Sequence, residues 1–389
     1  MKVKKNITAA RVNGVRKMPA ELPEELIRNE ILIRLPIKYV ARFKSVSKSW
    51  LSLLSDPEFV REHYTRSASG NPNEYDCLIA EKQFRIVILS RYNETLVLPT
   101  DKHYQLVGSI NGIVCLRRCQ KLSLWNPAIH QSKEVTIAPH HSGEINSIGF
   151  GFDPVSNDYK VVVSIDSRFA SFYSSKFDSW TDLFVSPTLL PKSRDCDSFA
   201  PTTIVKNCPY WTTMVYRLTT PFIYFASLKF DAGSNEFKLL PNFYYGRSGA
   251  RGKDFKFVNM KDCLALMVHE RDSIDTLVEV YSLDEEGCGV WNKMYNLGPF
   301  NIHESVLLSQ GFKYGGEILC HVYGKLLCYD LKTGTIKHIQ DTTGIRVVYG
   351  YTPSLLSLPG MESVYLQTQT RTHGLGSRTP RRLINSLRG

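Results

Sequence analysis

Few residues of this 389-residue chain have the type and spacing that catalysis requires. His140 and His141 form the one adjacent histidine pair, but no carboxylate or cysteine stands at metal-ligand spacing on a predicted helix. The segment GFGF (149–152) precedes Asp153-Pro154 and no helix, so its glycines indicate close strand packing before a turn and not a dinucleotide site. Phosphate-binding loops, nucleophile elbows, His-Glu-x-x-His and paired-carboxylate motifs are also missing from the sequence. We therefore predict no catalytic residue, no metal and no cofactor.

The segment from Met18 to Pro57 instead has the pattern of a small helical module. Pro23 stands at a first-turn position, and two glutamates follow it where negative charge complements the helix dipole. Pro36 ends this helix; a second is predicted near Ile37–Phe43 and a third from about Ser45 to Leu54. Three helices in forty residues are too few to build a large core, so we expect a module that docks on a partner.

After Glu74 the helical periodicity gives way to short apolar runs, bounded by Gly, Asn, Asp or Pro, about every 12 residues, which is an all-β signature. One hairpin pattern recurs, in which an aromatic residue ends a strand, a polar turn follows, and a bulky residue begins the next strand. The leading aromatic residues are about 50 residues apart and comprise Trp125, Tyr173, Phe230, Tyr281 and Tyr329. Periods of this length are typical of propeller blades. Six blades between residues 75 and 360 are favoured, with five blades or a β-sandwich pair as alternatives.

Net charge and cysteine usage limit the classes of partner. The chain carries a formal charge of +11, but residues 21–360 contribute only about +1, so no folded basic face for nucleic acid is implied. No apolar run has the length of a membrane-spanning helix. The nine cysteines lack C-x-x-C spacing, and reduced, mostly buried thiols are predicted. We predict no nucleic-acid or membrane partner and a cytoplasmic or nuclear location.

The order of these motifs resembles plant F-box proteins that carry an F-box-associated, kelch-like propeller domain. The N-terminal match includes Leu22-Pro23, Arg34-Leu35-Pro36 and Val46-Ser47-Lys48-Ser49-Trp50. The C-terminal match includes the segments GSINGIVCL, LWNPA, GFGFDPVSNDYKVV and GEILCHVYGKLLCYDLKT. Each motif alone is weak, whereas their order and spacing are specific.

The resemblance implies a non-catalytic, substrate-recognition subunit of a Skp–cullin–F-box ubiquitin ligase. The F-box would dock on the Skp-type adaptor, which links it to the cullin and RING subunits, and the β domain would capture a target protein for ubiquitination and degradation. The adaptor-binding residues predicted on this basis are Leu22, Pro23, Leu26, Ile31, Leu32, Leu35, Pro36, Val46 and Trp50. Packing inside the module is the alternative role for each of them, and especially for Leu26, Val46 and Trp50; Leu53 has the same two possible roles.

The predicted organisation is a basic tail over residues 1–17, an F-box over 18–64, a propeller-like domain over 75–360 and a second basic tail over 361–389. The two folded parts are expected to fold separately. Candidate target-binding loops are the less regular segment 189–203 and the segment 243–256, which mixes aromatic residues, Arg and Gly; simple connections between strands are the alternative for both. A carbohydrate- or small-ligand-binding propeller is the alternative function, and a propeller enzyme is disfavoured because no acid/base or metal constellation is present.

Overall fold

The computed structural model describes most of the chain between Leu22 and Val364. The described ranges are 22–69, 77–83, 85–89, 94–98, 104–137, 145, 147–164, 169–184, 202–216, 221–246, 248, 252–260, 262–270, 275–284, 289–301, 312–314, 317–322, 325–330, 333–338 and 344–364. The predicted tails, residues 1–17 and all but the first four residues of 361–389, lie outside these ranges.

The N-terminal region is helical, as predicted. Its elements are α1 (Glu24–Leu26), which continues through a π turn (Ile27–Ile31) and a 3-10 turn (Leu32–Arg34), then α2 (Ile37–Phe43), α3 (Lys48–Ser55) and α4 (Pro57–Ser69). The second helix has the predicted bounds. The third begins later than the predicted Ser45, because the Ser47 hydroxyl caps it by accepting the Trp50 amide at 3.2 Å.

The fourth helix was not predicted from the sequence. Asp56 provides its N-terminal cap, since one carboxylate oxygen accepts the amides of Glu58 and Phe59, both at 3.0 Å. Pro57 occupies the first helical position, where the missing N–H costs no hydrogen bond. The helix brings Phe59 and His63 into the module, and both side chains are buried.

The remainder of the described chain is β structure. The strands of its first half are β1 (Cys77–Lys82), β2 (Arg85–Leu89), β3 (Glu94–Leu98), β4 (Gln105–Ile110), β5 (Ile113–Arg118), β6 (Lys121–Asn126), β7 (Gln131–Thr136), β8 (Ser147–Asp153), β9 (Asp158–Ser164), β10 (Phe169–Ser174), β11 (Ser179–Phe184), β12 (Thr203–Val205) and β13 (Cys208–Tyr216). A 3-10 turn, Pro127–Ile129, joins β6 to β7.

The second half contains thirteen more described strands. They are β14 (Phe222–Asp231), β15 (Glu236–Leu239), β16 (Phe243–Gly246), β17 (Lys253–Met260), β18 (Cys263–Glu270), β19 (Asp275–Leu283), β20 (Trp291–Asn301), β21 (Phe312–Tyr314), β22 (Glu317–Val322), β23 (Lys325–Asp330), β24 (Ile336–His338), β25 (Ile345–Tyr351) and β26 (Glu362–Ser363).

Within the described residues these strands form six antiparallel sheets, which we number as blades along the chain. Blade 1 has the order β25-β1-β2-β3, blade 2 β4-β5-β6-β7-β26 and blade 3 β8-β9-β10-β11. Blade 4 runs from β12 through β13 to β14, which pairs with both β15 and β16; blade 5 comprises β17 to β20 and blade 6 β21 to β24. The predicted all-β propeller after a helical module is confirmed, and the described sheets number the favoured six.

Apolar clusters join each blade to the next and close the ring. One large cluster joins blades 1, 2 and 3, and smaller clusters join blades 3 with 4, 4 with 5 and 5 with 6. Leu326 of blade 6 packs with Leu78, Ala80 and Val87 of blade 1, which completes the circle. Stacking in a ring buries sheet faces that one blade alone would expose.

The predicted hairpin repeat is confirmed as the outer two strands of a blade. Tyr173 lies directly opposite Trp180 in blade 3, Phe230 opposite Phe237 in blade 4, and Tyr329 opposite Ile336 in blade 6. Large aromatic side chains fill the apolar clusters of the blades, among them Trp125, Trp180, Trp211 and Trp291.

The chain between β25 and β26, residues 352–361, forms what we call the strap. It leaves the inner strand of blade 1 and ends at the outer edge of blade 2, where β26 pairs with β7. The Asn126 amide donates to the carbonyls of Ser354 at 2.9 Å and Leu356 at 2.7 Å, and Lys133 Nζ donates to the Pro359 carbonyl at 3.0 Å. Ordered structure thus extends past residue 360, the predicted end of this domain.

The strap also contacts the helical module. Leu355 is 1% exposed and belongs to the same apolar cluster as Leu32, Val40, Leu54 and Phe59. The hydroxyl of Tyr64 in α4 is hydrogen-bonded to Thr352. The two parts of the chain therefore share part of one apolar core, and their separate folding stays a prediction.

Candidate docking surfaces

The helical module leaves an unusual amount of apolar surface in water. Of the fifteen large hydrophobic side chains that are exposed in the described residues, six lie between residues 22 and 51. They are Leu22, Leu26, Ile31, Tyr39, Val46 and Leu51, exposed by 44–62%. A concentration of this kind on so small a module indicates a protein-docking surface.

Most of the predicted adaptor-binding residues contribute to this exposed set. Leu22, Pro23, Leu26, Ile31, Pro36 and Val46 are exposed, and Leu35 is half-buried. For Leu26 and Val46 this exposure favours the docking role over the alternative of packing inside the module. The helical turns that carry Leu26 and Ile31 position these side chains on a short, rigid element.

Leu32 and Trp50 fit the predicted surface less well than the other predicted adaptor-binding residues. Leu32 is 1% exposed and fills the module core, so the structure places it beneath the docking surface and not on it. Trp50 is half-buried against Phe43 in an edge-to-face pair with ring centroids 5.4 Å apart, which favours its alternative role in helix packing.

Sequence reasoning missed Tyr39 and Leu51. Tyr39 directly precedes the buried Val40, and Leu51 directly follows the half-buried Trp50, so the apolar positions exceed what one buried helix stripe requires. That excess of apolar residues in two short helices was the available signal. The basic side chains Lys38, Arg42 and Lys48 are exposed, whereas Lys44 is half-buried and burial lowers its pKa.

His63 holds the first helical run against α4. Its Nε2 lies 2.9 Å from the Leu35 carbonyl, and its buried Nδ1 has no hydrogen-bond partner in the described residues. Burial lowers the pKa of His63, and the bond to Leu35 opposes this only partly. A proton added to Nδ1 would have no acceptor, so the neutral ring is the form that fits.

We expect the module to lose stability on acidification. Because the folded-state pKa of His63 lies below the unfolded value of about 6.5, the unfolded chain takes up the proton first as pH falls. Stability is therefore fully present above about pH 6.5 and decreases below it, by at most about 1.4 kcal/mol per pH unit for one group. Hydrogen exchange of α4 at pH 7.5 and 5.5 measures this. His63→Gln, which retains a donor for Leu35, should flatten the slope, and an unchanged slope in that variant would contradict the assignment.

On the propeller, a cavity of about 410 Å³ opens where inner strands of four blades converge. Its polar lining consists of Ser109, Lys206, Asn207, Asn259 and Asp262. The Asn259 amide donates to the Ile204 carbonyl at 2.8 Å and so fixes blade 5 against blade 4. Local patterns did not single out these residues, because four distant segments supply them.

The two predicted target-binding loops are described only in part, and the described part of one of them is not a loop. Loop 189–203 lies outside the described residues except for its last two positions. In the segment 243–256, Phe243–Gly246 is a strand and not a loop: it pairs with the first residues of β14. The His140-His141 pair also lies outside the described ranges, and no group of three potential metal ligands occurs within them.

The GFGF segment has the predicted packing role. A Cβ on Gly149 would lie 2.5 Å from the Trp211 ring and 2.6 Å from Pro209. Blade 3 therefore approaches blade 4 too closely at this point for any side chain.

Among the described helices, none has the length and apolarity needed to cross a membrane.

Comparison with known protein families agrees with both parts of this description. Residues 20–62 match the model of the F-box domain, and residues 78–180 match that of the F-box associated beta propeller domain. An F-box/kelch-repeat protein of Arabidopsis thaliana is 28% identical over 244 residues, covering 57% of this chain and 66% of the relative. An Arabidopsis F-box protein is 26% identical over 356 residues, covering 83% of this chain and 87% of the relative.

These matches confirm the resemblance to plant F-box proteins that the motifs indicated. Several relatives align over less than two thirds of their own length, for example 40% for another Arabidopsis F-box protein that is 30% identical. Among solved structures, TolB from Acinetobacter baumannii aligns over 76% of this chain and 73% of its own, with 10% identity and a TM-score of 0.39. That score is too low to add to the fold assignment, which rests on the sheets themselves.

Proposed function

We propose that this chain, with an F-box at residues 20–62 and an F-box-associated β-propeller domain after it, is the substrate-recognition subunit of a Skp–cullin–F-box ubiquitin ligase. The observation that carries the proposal is the group of six exposed apolar side chains between residues 22 and 51, on the module that matches the F-box model. The adaptor would cover this surface and connect the chain to the cullin and RING subunits.

In this proposal the chain positions the target protein and does not itself catalyse the ubiquitination reaction. The propeller holds a target protein while the ligase brings a charged ubiquitin-conjugating enzyme close to it. Raising the effective concentration of two reactants accelerates their reaction without any catalytic side chain in the scaffold. The complex would act in the cytoplasm or the nucleus.

The direct test is a double substitution of Leu22 and Pro23 by alanine. Leu22 is 59% exposed and Pro23 is exposed, so removal of both side chains should leave the fold intact and reduce co-purification of the Skp-type adaptor at least about tenfold. Val155→Ala, at a 95% exposed position on the propeller, is the matched control. Undiminished adaptor recovery with soluble, folded double variant would contradict the proposed interface.

The same variant is the better bait for finding targets. Deleting residues 18–60 would strip Leu355 of its cover, because that side chain lies in the F-box core. The double variant retains the core while the adaptor is lost. Affinity capture with the proteasome blocked should then enrich target proteins on the double variant relative to the unmodified chain.

A further inference from the structure

A second concentration of exposed apolar side chains lies on the outer side of blades 4 and 5. Nine of the exposed large hydrophobic residues in the described chain belong to the propeller, and six of these nine fall on the two blades. They are Phe222, Leu239, Tyr244, Leu277, Val290 and Met294. The remaining three, Val155, Phe169 and Phe177, are on blade 3.

An open cleft of about 470 Å³ lies within this region, between β16 and the start of β20. All of β16 lines one side, and Val290 and Trp291 line the other. Tyr244 is 61% exposed and Val290 48%, while Phe243 is buried beneath them. The base of the cleft is thus a buried aromatic side chain, and its rims are apolar side chains whose exposure to water is unfavourable.

The side chains around the cleft already satisfy one another. The Trp291 indole donates to the Pro241 carbonyl at 3.0 Å, and the hydroxyls of Tyr245 and Tyr281 donate to Glu279 at 3.1 and 3.2 Å. Lys293 Nζ lies 2.8 Å from the same carboxylate. A sugar needs unoccupied polar side chains beside aromatic faces, and in this cleft those groups are engaged.

The charges beside the cleft also balance. Lys293 pairs with Glu279, and Lys253 lies 3.0 Å from the Tyr245 hydroxyl, opposite Glu270 across the β17–β18 ladder. Burial raises the pKa of Glu279, but the bonds from Lys293 and Tyr245 outweigh it and hold the pKa below the usual value. Burial and the adjacent Glu279 raise the pKa of Tyr281 to about 12, so it stays neutral. A strongly charged ligand gains little here.

What remains available for hydrogen bonding is the backbone of β16. Its only strand partner among the described residues is β14, so β16 is an edge strand. Alternate N–H and C=O groups of an edge strand point away from its partner and can pair with another extended chain. Strand addition of this kind gives affinity through the backbone and specificity through pockets for alternate side chains.

We propose that this cleft captures an uncharged, extended segment of the target protein, which adds as a strand to β16 and places alternate apolar side chains between Tyr244, Val290 and Trp291. The inference rests on the proposed function, since it gives the propeller's target site a location and a ligand chemistry. The cleft is distinct from the cavity of about 410 Å³ on the propeller, whose lining is polar and comes from the inner strands of four blades.

The test is a selection from a phage-displayed library of random twelve-residue peptides against the full chain. We expect enriched peptides with bulky apolar residues at every second position and few prolines or charges. They should bind the double variant Tyr244→Ala, Val290→Ser at least about tenfold more weakly, and bind Met294→Ala unchanged. Met294 is 55% exposed on the same strand as Trp291 but does not line the cleft.

Backbone recognition has its own readout. Methylating the alternate amide nitrogens that face β16 should weaken an enriched peptide about tenfold, and methylating the other set should leave it unaffected, because only one set pairs with the edge. The proposal would be overturned if the enriched peptides bound the Tyr244→Ala, Val290→Ser variant as tightly as the unmodified chain, or if no cleft-dependent peptide were enriched. Glycan binding that depends on Tyr244 would also overturn it.

Failure of this inference is distinguishable from failure of the proposed function. The Leu22→Ala, Pro23→Ala variant should bind the enriched peptides as the unmodified chain does, because the cleft lies on blades 4 and 5 and the double change on the helical module. Peptide binding without adaptor binding would remove the ligase role alone. Adaptor binding without cleft-dependent peptides would remove the cleft alone.

Discussion

Replacing Asn126 by alanine is expected to release the strap from blade 2 and to lower the free energy of unfolding by about 3–5 kcal/mol. The amide is fully buried and donates to the Ser354 and Leu356 carbonyls, while its oxygen accepts the Ala128 amide at 3.0 Å. Truncation removes these bonds and a fourth, from the amide to the Ser354 hydroxyl at 3.2 Å, and leaves the buried Ser354 carbonyl and the part-buried Leu356 carbonyl without this donor. The second loss is the larger, because an unpaired buried polar group keeps its full desolvation penalty.

Denaturant unfolding of the unmodified chain, Asn126→Ala and the control Asn292→Ala measures this effect. Asn292 is exposed on β20, and its replacement should change the unfolding free energy by less than about 0.5 kcal/mol. Proteolysis should cut the strap of Asn126→Ala first, and α2 to α4 should then exchange amide hydrogens faster, since Leu355 leaves their core. A strap that stays protected in Asn126→Ala would show that Asn126 is not its anchor.

Gly149→Ala is expected to lower stability by about 1–3 kcal/mol or more through overpacking. The new methyl group would lie 2.5 Å from the Trp211 ring and 2.6 Å from Pro209, which is closer than carbon atoms approach without displacement. Trp211 cannot move aside freely, because it packs against Phe237 with ring centroids 5.9 Å apart. The contact between blades 3 and 4 must therefore open.

Gly246→Ala is the matched control for this substitution. A Cβ at Gly246 meets no atom within 4 Å, so alanine there should be neutral within about 0.5 kcal/mol. Thermal unfolding of the two variants side by side separates the steric effect from the general effect of replacing a glycine. Equal midpoints for the two variants would refute the close approach of the blades.

Local patterns were sufficient to predict the outer hairpins of the blades. Tyr173 and Trp180 are only seven residues apart and lie directly opposite each other, so period-two alternation and a short polar turn determine their pairing. The same reasoning located α2 from Pro36 and the length of its apolar run. It failed at α4, although Asp56-Pro57 carried a helix-start signal that was available.

Contacts between distant segments were beyond the reach of local patterns. The Asn126-Pro127 dipeptide is typical of a turn, in agreement with the bond of Asn126 to Ala128, but its bonds to the strap join positions more than 220 residues apart. Leu32 fitted a surface pattern, yet Leu355 and α4 cover it. The cleft beside β16 likewise depends on the relative placement of blades 4 and 5, and nothing in the segment 243–256 alone specifies this placement.

The buried position of Leu355 has a consequence for how the protein is made. The helices at residues 22–69 leave the ribosome early, but the leucine that completes their core is about 300 residues downstream. At roughly 5–20 residues per second, the nascent module waits on the order of 15–60 s for it. A polypeptide released before Ile345 would have neither a finished helical core nor the final strand of blade 1, so early termination yields products in which both ends of the molecule are defective together.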